Sequence, residues 1–184
     1  MKYRPRPRAL LRTGALALAL ASLAPSAGAL PKLGAPKPEL RLVDAWDRTL
    51  DTARLSGRPV LVVHEDKDSS KQNQAFKDDL AALARGNRYV RRIALVAIAD
   101  VEGYDYWPVR GFVKDAIKSE SAKVNTVIYC DWNGDVRRAL GLRRGVSNVV
   151  LYGAEGTVLF AHEGALSTDQ RRRVIELLRQ QIGE

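Results

Sequence analysis

Apolar positions cluster in short runs with two different periods, and the alternation of those periods outlines the fold. Pro59-Val60-Leu61-Val62-Val63-His64 is almost continuously apolar, as is Ile93 to Ala99 inside the segment Arg92 to Ala99. Runs of this length, flanked by turn residues, predict strands buried on both faces of a parallel sheet. Asn125 to Cys130 predicts a third such strand, of β-branched and aromatic type. Between them lie helical spacings: Phe76, Leu80 and Leu83 within Ser69 to Arg85, and Phe112, Val113, Ala116 and Ile117 within Val109 to Ser119. Ser69 and Gln72 stand in the capping-box relation, and Gly86 closes that helix. A turn at Trp132-Asn133-Gly134 leads into a short helix through Leu140. Asn148 to Tyr152 and Thr157 to Ala161 predict a hairpin joined at Gly153 to Gly156. Ser167 and Gln170 then open a last helix, with Val174, Leu177, Leu178 and Ile182 on one face. Upstream, Leu40 to Val43 predicts a short edge strand. Ala45 to Leu55 predicts a helix on the spacing of Trp46, Leu50 and Ala53. The order β-α-β-α-β-α-β-β-α describes an α/β domain: a mixed central sheet with helices on both faces.

The first 29 residues have a different character. Lys2, Arg4, Arg6, Arg8 and Arg12 form a basic start without an acidic residue. Residues 14–24 form a short apolar stretch, and Ala27-Gly28-Ala29 suits cleavage. This predicts a signal peptide over 1–29, an extended Pro-rich lead-in over 30–39 and one domain over 40–184. The apolar stretch is shorter than the roughly 20 residues that span a bilayer, and no longer one follows, so no transmembrane segment is expected. The expected location is the periplasm, or the medium if the protein is secreted. Without the signal, 25 basic residues face 21 acidic ones, so the +9 of the whole chain becomes +4. That is a solubilising charge and no footprint for nucleic acid.

Candidate chemistry is sparse. One cysteine, Cys130, excludes an internal disulfide. It ends an apolar strand beside Asp131, whose negative charge raises a thiol pKa, so a buried and inert cysteine is the default reading. The functional reading is a lone thiol forming mixed disulfides. His64 and His162 are the two histidines; each ends a predicted strand and could be exposed. No Gly-x-Ser-x-Gly elbow accompanies Ser69 or Ser70, which speaks against a serine hydrolase. His64, Glu65, Asp66 and Asp68 read as a solvated acidic loop in preference to a metal site, and no metal or cofactor is expected. Ser69 and Ser70 at a helix start could hold an anion or a carbonyl oxygen on the helix dipole; capping alone also explains them. Tyr104, Tyr106 and Trp107 read equally as a contact surface or as a flap over the core edge.

The element order resembles the thioredoxin-like superfamily, especially its peroxiredoxin-like branch. Asp131-Trp132-Asn133-Gly134-Asp135-Val136 followed by Ala139-Leu140-Gly141-Leu142 looks like that branch's Asp-x-x-Gly turn and short helix. The chain is more closely similar to the YtfJ family of small periplasmic proteins. Asp68-Ser69-Ser70-Lys71, Phe112-Val113, Gly156 to Ala161 and Glu163 to Ser167 carry that similarity over about residues 40–183. The resemblance implies a thioredoxin-like fold and export, and it implies no activity. Active members of the superfamily keep a Cys-x-x-Cys where this chain has Asp68 to Gln72. They keep a cis-proline where it has Ser147. Losing both argues for the fold without its redox chemistry. The expected function is therefore a non-redox binding or accessory protein. Its ligand would be a peptide, a protein or a small anion, held by His64, Ser69, Ser70, Lys71, Ser147 and Asn148. The alternatives are a single-cysteine thiol oxidoreductase or peroxidase built on Cys130, and a structural envelope protein without ligand.

Overall fold

The computed structural model describes residues 29–85 and 88–184. All of the expected signal except Ala29, and Gly86 with its expected helix stop, lie outside them. A five-stranded sheet forms the centre, in the order β5-β4-β3-β6-β7. Its strands are β3 (Val60–Glu65), β4 (Ala94–Asp100), β5 (Ile128–Asp131), β6 (Asn148–Tyr152) and β7 (Val158–Glu163). β3, β4 and β5 run parallel, whereas β6 and β7 are antiparallel additions on the other side of β3. The helices are α1 (Gln74–Ala84), α2 (Arg88–Arg92), α3 (Val109–Val124), α4 (Asp135–Ala139) and α5 (Thr168–Gln181). From β3 to α5 the order is the one the sequence predicts, with α2 added after α1.

Connection handedness assigns the faces. The chain steps from β3 to β4 to β5 in one direction, and right-handed crossovers put α1 and α3 on the same face. Phe76 of α1 meets Leu61 and Val63 there, with Val174, Leu177 and Leu178 of α5. Ile117 of α3 packs with Cys130. The return from β5 to β6 leaves α4 on the opposite face. There Val136 and Leu140 cover Val60, Val62, Val96 and Ile98.

Three local expectations change. Residues 45–55 form no α-helix: β1 (Arg41–Val43) and β2 (Thr49–Asp51) make a hairpin, followed by a 3-10 turn over Thr52–Leu55. Asp44 causes this. Its Oδ1 accepts from the amides of Trp46 and Arg48, at 2.9 Å each, and Asp47 adopts a left-handed φ of 63°. Local turn chemistry outweighs a helical spacing of only three apolar residues. The helix expected from Ser69 starts five residues later, at Gln74, and 67–73 are turns. Finally, α3 runs on to Val124 and stops at Asn125 with a left-handed φ of 49°, so Asn125 caps a helix and begins no strand. The Ser167–Gln170 capping box forms as expected.

Candidate functional site

The parallel strands end together. In the sheet register Asp100 lies opposite Asp131, and His64 lies opposite Ile98. Alternation along the strands then places His64, Asp100 and Asp131 on the α4 face and Glu65 on the α1 face. Ligands of open α/β sheets bind beyond these strand ends.

On the α4 face, His64 is 1% exposed, and its Nε2 lies 3.4 Å from Asp131 Oδ2. Asp131 also accepts from the backbone amides of Val136 (3.2 Å) and Arg137 (2.9 Å), so it fixes the start of α4. Burial alone would raise this carboxyl. The hydrogen bonds from His64 and the two amides outweigh it and hold Asp131 below the usual value of 3.8. An ionised Asp131 only accepts, so Nε2 carries the imidazole proton and Nδ1 is left without a partner. Arg137 extends the cluster: its guanidinium reaches Glu102 Oε2 at 2.6 Å and Asp100 Oδ2 at 3.4 Å.

On the α1 face, Ser147 is fully buried. It donates to Glu65 (2.7 Å), accepts from Asn73 Nδ2 (2.8 Å), and its amide donates to Gln72 Oε1 (2.8 Å). Asn148, also fully buried, binds the amide and carbonyl of Arg143 and the carbonyl of Val146. These bonds shape the loop from Arg143 to Ser147 without proline. The cis peptide bond among the described residues is Trp107–Pro108, so the bonds flanking Ser147 are trans.

Between the ends of β3 and β4 and this loop lies a cleft of about 380 Å³. Asp66, Asp68, Asp100 and Glu102 line it against Lys67 and Arg144, with Tyr104 beside them. Asp66 is held below the usual carboxylate value: burial works against this, and hydrogen bonds from Ser69 and Asp68 prevail.

The structure places the residues expected to bind a ligand as follows. Ser69 is 1% exposed; its hydroxyl donates to Asp66 Oδ1 at 2.7 Å and its amide to the same oxygen at 2.8 Å. It therefore shapes a turn and caps no helix, and its partner in the expected capping box, Gln72, is bound to Ser147 instead. Ser70 donates to the Lys67 carbonyl, and Lys71 is exposed. His64 is buried where an exposed strand end was expected. His64, Ser69, Ser147 and Asn148 are thus buried and do not line the cleft. Sequence reasoning missed Asp100, Glu102 and Arg137. A charge ending the buried alternation of β4 was the available signal for Asp100.

Cys130 is 7% exposed and faces α3, away from the cleft. Burial first, and the Asp44 carboxylate second, push its pKa up to about 11. The acidic neighbour is Asp44, brought in by the hairpin; Asp131 points to the opposite face. His162 is tied to the Ala165 carbonyl and to Gln170. Among the described residues no group of three His, Cys, Asp or Glu side chains could hold a metal ion. No helix among them is long and apolar enough to cross a membrane.

Residues 46–181 match the family described as "Bacterial protein of unknown function (YtfJ_HI0045)". The chain belongs to this family. No curated protein matches it. Solved structures resemble most of the chain. A protein from Chlorobium tepidum, described as a candidate thiol:disulfide interchange protein DsbE, shares 17% identity at a TM-score of 0.62; the match covers 83% of this chain and 99% of that one. The pneumococcal exposed lipoprotein thioredoxin Etrx1 from Streptococcus pneumoniae shares 16% at 0.57, over 76% and 98%. A thiol peroxidase from Chromobacterium violaceum shares 15% at 0.55, over 84% and 90%. At these identities the likeness shows the fold, which is thioredoxin-like.

Proposed function

We propose that this YtfJ-family protein is an exported, non-redox binding protein that uses the cleft beyond β3 and β4. The observation that carries the reading is the cleft's chemistry. It offers carboxylates, two cations and a tyrosine but no thiol, while the single cysteine lies elsewhere, buried, with a pKa of about 11. A thiol enzyme needs the opposite setting, exposed and electropositive. Arg137 pairs with Asp100 and Glu102, which leaves Asp66 and Asp68 facing Lys67 and Arg144; a lining that offers both acceptors and cations favours a ligand carrying donors and acceptors together, such as a peptide, over a small anion. The basic start and short apolar stretch of residues 1–29 support export.

The test is an amide-resolved NMR titration with a tetrapeptide mixture and, separately, with phosphate and acetate. Peptide-induced shifts are expected at Asp66 to Asp68, Glu102 to Tyr104 and Arg144 to Gly145. They are expected to shrink at least threefold in Arg144→Ala. Shifts confined to other surfaces would refute the reading.

A further inference from the structure

The fold leaves a set of aromatic side chains exposed, of which Trp46 is covered on one face by the Arg48 guanidinium at 4.8 Å. Trp107 is 91% exposed, Phe112 71% and Tyr106 57%, with Trp46 and Tyr104 nearly half exposed. Trp107 and Phe112 occupy the positions flanking the α3 start, N′ and N4, which in other helices pack on each other as a staple. At these exposures they do little of that. Tyr104 also lines the cleft, and the loop from Tyr104 to Trp107 connects it to Phe112 on the first turn of α3. The Trp46 loop joins the same side through the ion pair of Asp47 with Lys114 at 2.6 Å.

Two properties select the occupant. The first is size. At about 200 Å² per aromatic side chain, these exposures leave about 600 Å² open. That is near the 800 Å² or so that one partner contributes to a standard protein interface, and more than a small ligand covers. The second is charge. Among the described residues, the cations of α3 and of the Trp46 loop are each paired within the protein: Arg48 with Asp44, Arg110 with Asp105, Lys114 with Asp47, Lys118 with Asp115 and Lys123 with Glu120. An anionic membrane or a nucleic acid needs unpaired cations. A self-neutralised aromatic face suits an uncharged apolar one.

We infer that the aromatic rim over the start of α3 docks a protein segment bearing apolar anchor residues, which continues past Tyr104 into the cleft. This rests on the binding reading above and names its partner class. Trp107 and Phe112 act as the anchor-binding pair.

The experiment uses three synthetic peptides on one Gly/Ser/Asn background, carrying paired Phe and Leu, paired Lys or paired Glu. Each is titrated against the protein by tryptophan fluorescence and by NMR, alongside anionic vesicles and sedimentation of the protein alone. The Phe/Leu peptide is expected to bind at least tenfold more tightly than the other two and to shift the emission to the blue. Trp107→Ser/Phe112→Ser is expected to lose at least tenfold of that affinity with an unchanged melting temperature. Equal binding of all three peptides, no peptide binding, vesicle binding instead, or a dimer abolished by the same double substitution would each overturn the inference. Peptide binding lost in Arg144→Ala but kept in the double variant would overturn the rim alone and leave the cleft reading standing.

Discussion

Asp131→Ala is expected to lower stability by about 3–5 kcal/mol, the usual cost of removing one member of a buried, hydrogen-bonded charge cluster. Three donors lose their acceptor at once: His64 Nε2 and the amides of Val136 and Arg137. None of these bonds is easily replaced by solvent, since Asp131 is 2% exposed. At about 2–4 °C per kcal/mol for a chain this size, the melting temperature should fall by about 6–20 °C. Asp131→Asn keeps one acceptor oxygen and should lose less. The same residue sets a pH dependence. Its folded-state pKa lies below the ordinary 3.8, so its contribution is fully present above that value and is lost as pH falls through the lower folded value. Thermal unfolding between pH 6 and pH 2.5 should therefore show an acid limb that is shallower in Asp131→Asn. A limb of equal slope in both proteins would contradict the assignment.

The second large effect is expected at Asn73, which is 2% exposed. Its amide nitrogen donates to Ser147 Oγ at 2.8 Å and to the Gly164 carbonyl at 3.0 Å, and its oxygen accepts from the Leu166 amide at 2.8 Å. One side chain thus joins the start of α1 to the loop before β6 and to the turn after β7. Asn73→Ala takes a partner from the Ser147 hydroxyl, the Gly164 carbonyl and the Leu166 amide, each at about 1 kcal/mol, so a loss of about 3 kcal/mol is expected in denaturant unfolding. Gln74→Ala, at the exposed first residue of α1, should change stability by less than about 0.5 kcal/mol. Equal effects at the two positions would show that the Asn73 bonds contribute nothing. Because the 143–147 loop carries Arg144 and Gly145 into the cleft, Asn73→Ala should also weaken ligand binding.

Much of this architecture is legible in the sequence, because β3 and β6 are buried on both faces and β3 and β4 read as apolar runs. The terminal helix was equally legible, since Ser167 and Gln170 form a purely local motif. What failed was side-chain capture of turn backbone, twice by a near neighbour and once by a partner far along the chain. Asp44 turns the chain where three apolar residues mimic a helix. Asp66 captures Ser69 before it can cap α1, and Gln72 is drawn away to Ser147, 75 residues on in the chain. The site was legible only as a region. Ser147, Asn148 and His64 are recognisable as polar residues at strand ends and Ser69 as one at an expected helix start, but their burial shows only in the folded chain. Asp100, Glu102 and Arg137 join only when β4, its following loop and α4 meet.

The central claim is a thioredoxin-like fold working without thiol chemistry, and the titration of the Cys130 thiol in the native protein tests it most directly. Reaction with a disulfide reagent and with peroxide would be followed from pH 6 to pH 11, with Cys130→Ser as control. A thiol silent until the protein unfolds, with an apparent pKa near the 11 that its burial dictates, is the expected result. Rapid native-state reaction with a pKa well below about 8.5 would contradict the account and return the protein to the thiol enzymes.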